Sequence, residues 1–187
     1  MSAYTESDRV MDGHSEQELV RRAKGGDKVA YEDLLRANLQ PAARLARVLL
    51  GDPAETEDVV QEAAVRAWRK IANLRVGAEF RPWFLGIVVR QVRTVQRARW
   101  WTLIRLPDLS RRPLIEEDPW LEGEDLRRAI LRLPQSQREA VLMHFYLDLR
   151  VQDVAASLGL SVAGVKSRIN RALRQLRADI TRTEIQT

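Results

Sequence analysis

The sequence predicts an all-α protein: two small helical domains joined by a flexible linker that a partner orders. Apolar residues recur at helical spacing up to about residue 101 and again after residue 122. Between these segments, prolines at positions 107, 113 and 119 break the periodicity. A length of 187 residues suits one domain of ordinary size or two small ones. The predicted boundaries are a disordered tail over 1–14, domains over 15–101 and 122–178, the linker over 102–121 and a tail over 179–187.

Charge is spread unevenly along the chain, whose net charge is +5. Seven arginines and one acid lie between Arg90 and Arg112, whereas five acids and no base lie between Asp52 and Glu62. This asymmetry predicts one surface for a polyanion and another for a basic partner. Because the sequence contains no cysteine, we expect no disulfide and no cysteine-based metal or redox site.

The sequence carries no signal peptide and no apolar run long enough to span a bilayer, which favours a cytoplasmic protein. Its two histidines, His14 and His144, do not lie at metal-ligand spacing from acidic residues. We therefore expect no metal site, no cofactor and no catalytic centre.

The first domain contains four predicted helical segments. Ser15 and Glu18 form a capping box for the first segment, and Asp27 caps the second. Within the second segment, Pro41 marks either a kink or the first turn of a separate helix. The residues expected to face inward there are Val29, Tyr31, Leu34 and Leu35. The four segments run from Ser15 to Gly25-Gly26, from Asp27 to Gly51, from Asp52 to about Leu74 and from about Glu79 to Trp101.

The third segment has an apolar inner face and a polar outer face. Its inner residues are Val60, Ala64, Ala67, Trp68 and Ile71. The acids of its first turns are explained by the favourable interaction of negative charge with the helix dipole. Its outer residues are Asp58, Gln61, Glu62 and Arg66.

Arginines and aromatic residues lie close together along the fourth segment. A surface for single-stranded DNA needs both, since bases stack on rings and guanidinium groups neutralise phosphates. Phe80, Trp83 and Phe84 fit either the core or a stacking platform, and the core is the favoured assignment. The arginines are the better candidates for DNA contact.

The second domain ends in a predicted helix-turn-helix. Leu133-Pro134 begins its first helix, in which Val141, Leu142, Phe145 and Tyr146 form a buried stripe. Gly159 allows the left-handed turn that ends the next helix, and Ser161 caps the last one. The last helix has an apolar stripe opposite basic and polar residues. Such a helix is either a solvated surface or a recognition helix that enters the DNA major groove.

This helix-turn-helix closely resembles region 4 of bacterial sigma factors of the extracytoplasmic-function type. The sequence departs from that family at Asp153, where Glu is usual, and at Ala163-Gly164, where Gly-Thr is usual. The matching residues are Ala155, Leu158, Ser161, Val165, Lys166, Ser167, Arg168, Arg171, Ala172 and Leu173.

Many response regulators carry a similar helix-turn-helix, so a second motif decides between the two families. The outer face of the third segment resembles region 2.2 of the same sigma factors, with Ala64 where Phe is common. A response regulator has no reason to carry it. The residues that match are Glu57, Asp58, Gln61, Glu62, Arg66, Ala67 and Trp68.

The resemblance extends from about Ser15 to Arg177 and implies an alternative sigma factor of the sigma-70 family, group IV. Such a protein binds core RNA polymerase, recognises the −10 and −35 promoter elements and assists promoter melting. It implies contact with the −35 element by Lys166, Ser167, Arg168, Asn170, Arg171 and Arg174. It implies contact with the −10 element by Arg81, Arg90, Arg93, Thr94 and Arg97. It implies that Asp58, Gln61, Glu62 and Arg66 bind the clamp helices of the largest polymerase subunit.

The resemblance also predicts three finer features. The segment from Asn73 to Glu79 would form a pocket for a flipped base. After Ile87-Val88, Val89-Arg90 replaces the family's usual Ala-Asn, which bears on the identity of the recognised bases. The linker would thread the polymerase cleft, where Glu116, Glu117 and Asp118 either mimic nucleic acid or form a soluble patch. A separate anti-sigma factor would regulate the protein.

Two other classes of protein remain open at the level of the sequence. One is a helix-turn-helix transcriptional regulator that binds duplex DNA without polymerase. The other is an antagonist or adaptor that docks on polymerase and never reads DNA.

Overall fold

The computed structural model describes residues 10–11, 14–105 and 124–185, with side chains described over 15–101 and 125–181. Within these residues the fold is all-α apart from one antiparallel pair, β1 (Val10–Met11) and β2 (His14–Ser15). Three of these four strand residues lie within the tail predicted over 1–14, where main-chain pairing joins Val10–Met11 to His14–Ser15.

The N-terminal domain is built from four helices, three of which begin at a side-chain cap, and the caps at Ser15 and Asp27 are the predicted ones. The Ser15 hydroxyl accepts from the Glu18 amide, the Asp27 carboxylate from the Ala30 amide and the Asp52 carboxylate from the Glu55 amide. A turn of 3₁₀-helix, Ile71–Asn73, follows the third helix. The helices are α1 (Glu16–Lys24), α2 (Lys28–Leu50), α3 (Pro53–Lys70) and α4 (Phe80–Arg105).

The two alternatives at Pro41 resolve in favour of one continuous helix, because α2 runs through this residue to Leu50. Proline has no amide hydrogen, so the hydrogen bond normally made to the carbonyl of Ala37 is missing. One turn earlier, the buried Asn38 side chain donates to the Leu34 carbonyl at 2.8 Å. α2 therefore crosses the domain as a single element that contains one defect.

The inward face of α2 differs from the prediction at one residue. Tyr31 and Leu34 are buried, but Val29 is 61% exposed. Ala30, with no exposed surface, takes the inward position in the first turn. Each helical residue rotates the side chain by about 100°, so a buried Ala30 and Leu34 leave Val29 on the solvent side.

The C-terminal domain contains α5 (Glu124–Arg132), α6 (Gln135–Val141), α7 (Val151–Leu158) and α8 (Val162–Ile185). Gly159 ends α7 with φ 68°, and Ser161 accepts from the Gly164 amide at 3.0 Å. Both predicted signals of the helix-turn-helix are confirmed. The half-buried Arg138 guanidinium donates to the Leu131 and Leu133 carbonyls and thereby holds the end of α5.

A π-helical turn over Leu142–Tyr146 follows α6 and changes which residues are buried. The Leu147 amide donates to the Leu142 carbonyl, five residues back, at 3.0 Å. The wider turn rotates the following side chains relative to an α-helix. As a result Met143 is fully buried and Phe145 is 44% exposed, so the predicted burial of Phe145 is wrong.

The two domains pack against each other, with α4 lying along α7. We call the contacts of α4 with Glu139, Leu147 and Ser157 the interdomain seam. None of the described helices combines the length and the apolar character needed to cross a membrane. The predicted linker falls mostly outside the described residues, where residues 106–123 include Glu116, Glu117 and Asp118, while residues 102–105 continue α4.

Candidate nucleic-acid and polymerase surfaces

The first candidate surface is the outer face of α8. Val165 and Ile169 are buried and hold the helix against its domain. On the outside, Arg171 donates to the Ser167 hydroxyl at 2.9 Å, which orients its guanidinium along the face. Four of the six residues predicted for the −35 element are exposed and two, Ser167 and Arg168, are half-buried. The exposed four are Lys166, Asn170, Arg171 and Arg174.

Two glycines, Gly159 and Gly164, shape the turn before α8 and the first turn of this helix. Gly159 adopts the left-handed conformation that L-residues with a side chain disfavour, and nothing lies within 4 Å of the position of its missing Cβ. Gly164 lies in the first turn of α8, where its amide is already bonded to Ser161. The glycine therefore keeps the Ser161 hydroxyl free of crowding, since an added Cβ would lie 3.2 Å from it.

The second candidate surface is α4, which carries all five residues predicted for the −10 element. Thr94 and Arg97 are exposed. Arg81 donates to the Leu147 carbonyl at 2.9 Å, and Arg90 donates to the Ser157 carbonyl at 3.4 Å. Arg93 pairs with Glu139. Three of the five predicted DNA contacts are thus directed at the C-terminal domain.

The Arg93–Glu139 pair is bidentate. The guanidinium donates to the two carboxylate oxygens at 2.9 and 2.5 Å, and Gln135 donates to the same carboxylate at 3.0 Å. Glu139 has no exposed surface, whereas a third of the Arg93 side chain is exposed. The hydrogen bonds that Arg93 donates to Glu139 raise the pKa of Arg93, so this arginine stays charged at every pH at which the protein folds.

Gly86 makes the closest approach of the interdomain seam. A Cβ placed on Gly86 would lie 2.6 Å from the Ser157 carbonyl oxygen and 3.0 Å from its Cα. The Ser157 hydroxyl donates to the Pro82 carbonyl at 2.6 Å, one turn earlier on α4. Only a glycine at position 86 allows α7 to lie this close to α4.

Two further contacts join the domains at the edges of the seam. Arg150 donates to the Glu79 carboxylate at 2.9 Å. Arg44 donates to the Tyr146 hydroxyl at 2.8 Å, and its guanidinium carbon lies 4.6 Å from the centre of that ring. Beside Arg93, an open cavity of about 670 Å³ separates the domains and is lined by Arg97, Trp100 and Arg168, among others.

Sequence reasoning missed Glu139, Ser157 and Gly86. The available signal was Glu139 itself, an acid placed directly before Ala140-Val141 on the buried face of α6. A carboxylate there requires a partner, since an unpaired buried charge is costly. The sequence offered no way to identify that partner as an arginine 46 residues away.

The third candidate surface is the outer face of α3. Asp58, Gln61, Glu62 and Arg66 are all exposed and lie at helical spacings of three and four. Arg66 donates to Glu62 at 2.6 Å, with both side chains about half exposed. Glu55 does not share this face, because Arg99 of α4 pairs with it at 2.5 Å. The acidic surface open to a partner therefore begins after the first turn of α3.

The aromatic residues of α4 belong to the core, as favoured by the sequence. Phe80 and Phe84 have no exposed surface and stack with ring centres 5.6 Å apart. Trp83 is half-buried beside Phe80. The candidate base pocket between α3 and α4 has a buried residue, Leu74, followed by Val76, which is 97% exposed. Within the described side chains, no group of three metal-ligating residues lies together.

Comparison with known families matches both halves of the chain. A family model described as Sigma-70 region 2 matches residues 34–102, and one described as Sigma-70, region 4 matches residues 123–176. Together they span the three candidate surfaces.

Three curated proteins illustrate the similarity. The chain is 30% identical to the ECF RNA polymerase sigma factor SigM of Mycobacterium tuberculosis, covering 87% of this chain and 83% of that one. It is 25% identical to the RNA polymerase sigma factor NccH of Alcaligenes xylosoxydans xylosoxydans, covering 94% and 100%. It is 33% identical to the "Probable RNA polymerase sigma factor RfaY" of Xanthomonas campestris, of which it spans only 42%.

Two solved structures have the same fold. The first is the sigma factor RpoE in complex with the anti-sigma factor NepR from Bartonella quintana, with TM-score 0.71, 23% identity and coverage of 81% and 96%. The second is CnrH in complex with the cytosolic domain of CnrY, with TM-score 0.68, 24% identity and coverage of 89% and 97%.

Proposed function

The chain belongs to the extracytoplasmic-function group of sigma-70 factors, and from this premise we propose how its three surfaces act at a promoter. A sigma factor is not an enzyme; it is the subunit that directs core RNA polymerase to promoters. The family assignment disfavours the alternative of a regulator that binds duplex DNA without polymerase. The phosphoryl transfer belongs to the polymerase.

The outer face of α8 recognises the −35 element in the major groove. The observation that carries this assignment is the set of exposed cations, Lys166, Arg171 and Arg174, on a helix presented by the Gly159 turn. Arginine can bind a guanine edge through two hydrogen bonds, and Asn170 can bind adenine in the same way. Ser167 and Arg168 complete this face.

The arginine face of α4 binds the −10 element during melting. Arg90, Arg93 and Arg97 lie on one side of α4, Arg81 lies near its start on another side, and the buried Phe80 and Phe84 fix the helix in the core. Guanidinium groups neutralise the phosphates of a single strand, and Thr94 adds a hydroxyl between them. Because the phenylalanine rings are in the core, base stacking falls to residues of the exposed turn around Val76 or to Trp83.

The outer face of α3 binds the basic clamp helices of the largest polymerase subunit. Asp58 and Glu62 supply exposed negative charge, and Gln61 supplies a neutral hydrogen-bonding group beside them. Oppositely charged surfaces steer association and fix its orientation. We further infer that the protein acts in the cytoplasm with polymerase and that an anti-sigma factor sequesters it, in line with the complexes in which its structural relatives were solved.

In vitro transcription tests the proposed function directly. Core RNA polymerase is incubated with a pool of genomic fragments, with and without the protein, and new transcripts are mapped. We expect start sites that share two spaced upstream motifs. The proposal fails if no new transcript appears while the protein alone binds duplex DNA tightly, because that combination identifies a regulator that needs no polymerase.

Promoter binding by the holoenzyme, measured at several salt concentrations, tests the α8 face. Removing charge at Arg171 or Arg174 should weaken promoter binding by the holoenzyme and, for a phosphate contact, lower the salt slope by about one. A residue that reads a base should instead change the sequence preference. The matched control is Arg36→Ala, which removes an arginine from the N-terminal domain. The assignment of α8 is wrong if Arg171→Ala and Arg174→Ala match this control in both respects.

A further inference from the structure

Residues 74–80, which we call the α3–α4 loop, are held at both ends by α1. At the start of the loop, the Lys24 ammonium donates to the Leu74 carbonyl at 2.7 Å. At its end, the Glu16 carboxylate accepts from the Phe80 amide at 2.8 Å. Glu16 is the first residue of α1 and Lys24 is the last, so their Cα atoms lie about 12 Å apart along the helix axis.

Both ends of the α3–α4 loop are firmly anchored. The side chains of Leu74 and Phe80 are buried in the core of the N-terminal domain. The two bonds from α1 each involve a charged partner, and such hydrogen bonds are stronger than neutral ones. Glu16 also satisfies one of the amides that the first turn of α4 would leave without an acceptor. All of these contacts lie within the N-terminal domain, so they do not depend on the position of the C-terminal domain.

The middle of the α3–α4 loop is a tight turn with an exposed tip. The Ala78 amide donates to the Arg75 carbonyl at 3.1 Å, and Gly77 adopts the left-handed conformation with φ 76°. Val76, beside this glycine, is 97% exposed. A turn closed by this hydrogen bond has defined main-chain angles. The loop thus presents a fixed main-chain tip between two fixed ends.

A base bound at this tip depends on the position of the main chain. The side chains of Val76, Gly77 and Ala78 contain no hydrogen-bonding atom. The tip can therefore offer a base only its main-chain amides and carbonyls, together with apolar contact from Val76. A flexible side chain can rotate towards its ligand, whereas these main-chain groups lie where the ends of the loop place them.

We propose that Lys24 and Glu16 are positioning residues for promoter melting: they hold the α3–α4 loop in the conformation that binds a base flipped out of the −10 element. This inference rests on the proposed function at the −10 element. Neither residue contacts DNA; each acts through the loop. Extruding a base costs stacking and pairing free energy that the protein must offset. A loop that is ordered beforehand avoids a further entropic cost on binding.

Paired substitutions at the two α1 residues test the proposal. Lys24→Met removes the ammonium group and keeps a chain of similar length, whereas Lys24→Arg keeps a donor. Glu16→Ala removes the acceptor, whereas Glu16→Gln keeps an acceptor oxygen. The matched controls are Lys28→Met and Glu32→Ala, which make the same charge changes at exposed positions of α2.

The measurement is binding of the holoenzyme to a fluorescent single-stranded oligonucleotide. The oligonucleotide carries the −10 sequence that the in vitro transcription assay identifies. Each of its nucleotides is replaced in turn by an abasic one, which removes the base and keeps the phosphate. The position at which the parent loses most affinity is that of the flipped base. Binding of a −35 duplex is measured in parallel.

We expect the parent to prefer the intact strand about fivefold at this position, which corresponds to about one net hydrogen bond. Lys24→Met and Glu16→Ala should bind the intact strand only as tightly as the parent binds the abasic one. Their affinity for the abasic strand and for the −35 duplex should be unchanged. Lys24→Arg and Glu16→Gln should restore most of the preference, and the two control variants should keep it in full.

The abasic comparison separates positioning from damage to the fold. Loss of the preference in Lys24→Met and Glu16→Ala alone supports the proposal. Equal losses of affinity on the intact and abasic strands overturn it, because the residues then act on the whole domain. A preference that persists in both variants also overturns it, as does a parent that tolerates an abasic site at every position. Promoter-specific transcription by the parent leaves the sigma function intact in all three cases, whereas its absence would refute the proposed function itself.

Discussion

Tyr31 connects three helices of the N-terminal domain through a single side chain. Its ring lies 5.0 Å from that of Trp68 on α3 and 6.1 Å from that of Phe80 on α4, and its hydroxyl donates to the Ala64 carbonyl at 2.5 Å. Burial raises the pKa of Tyr31 well above its ordinary value of 10.0. The neutral phenol is therefore the form that the folded domain accommodates.

The raised pKa predicts a loss of stability at alkaline pH. Below pH 10 both folded and unfolded chains keep the phenolic proton; above it the unfolded chain loses the proton first, so the free energy of unfolding falls. Tyr31→Phe should lower that free energy by about 1 kcal/mol at neutral pH, through the lost hydrogen bond. The difference in free energy of unfolding between Tyr31→Phe and the parent should narrow above pH 10. Urea unfolding of both proteins at several pH values measures this difference, and a difference that stays constant with pH would contradict the prediction.

At the residue scale, the sequence predicted side chains whose role is local. The caps at Ser15, Asp27 and Ser161 and the αL glycine at 159 depend on a few neighbouring residues, and all are confirmed. Glu139 and Gly86 depend on residues 46 and 71 positions away. No local pattern encodes such partners, so their roles became visible only in the structure.

Pro41 lies in the interior of α2, where it lacks the amide hydrogen that other residues donate to the helix. Replacing it with alanine restores an amide donor in the helix interior and should raise the free energy of unfolding by about 1 to 3 kcal/mol. Gln40→Ala, at the neighbouring exposed position, should change it by less than about 0.5 kcal/mol. Thermal and urea unfolding measure both. If Pro41→Ala destabilises the protein, the packing of α2 depends on the backbone geometry that the proline imposes.

The turn between α7 and α8 gives a second prediction for an element. Gly159→Ala forces a residue with a Cβ into a left-handed conformation and should destabilise the C-terminal domain by about 1 to 2 kcal/mol. Nothing lies within 4 Å of the new methyl group, so the cost comes from the backbone. Gly159→Asn is the control, since Asn tolerates this conformation better. Equal losses in the two variants, measured by urea unfolding, would show that the backbone conformation is not the cause.

Helix existence was predictable because long apolar stripes specify it, whereas two details of helix geometry were not. The π-turn over Leu142–Tyr146 adds a residue to one turn and rotates Phe145 to the surface. Similarly, the choice between Ala30 and Val29 for the inward position depends on how closely α2 approaches its neighbours. Hydrophobicity by itself favours Val29, and packing selects the smaller residue.

At the scale of the whole molecule, charge on α3 should control assembly with polymerase. Glu62→Lys places a positive charge on the surface proposed to meet the basic clamp helices. It should weaken binding to core polymerase by about tenfold or more, because like charges at an interface cost several kcal/mol. Glu32→Lys, an equal charge change at an exposed position of α2, is the control. Titration of labelled core polymerase measures both, and equal affinities would remove α3 from the interface.

The fold class and the family were predictable for the whole molecule, but the arrangement of the domains was not. Motifs on α3 and α8 indicated two separate binding functions, and most of the residues predicted for them are exposed in the structure. The packing of the C-terminal domain on α4 uses the small size of Gly86 beside Ser157 and the Arg93–Glu139 ion pair, both of which join distant segments. The sequence therefore predicted the two domains and missed the contacts between them.

The chemistry of the interdomain seam has an evolutionary consequence. Arg81 and Arg90 of one domain bind main-chain carbonyls of the other, and Ser157 binds the main-chain carbonyl of Pro82. A carbonyl is supplied by every amino acid, so mutation at Leu147 leaves that acceptor in place. Lineages can thus diversify many side chains of the promoter-reading domain under selection for new target genes, while the two domains keep their fit to each other.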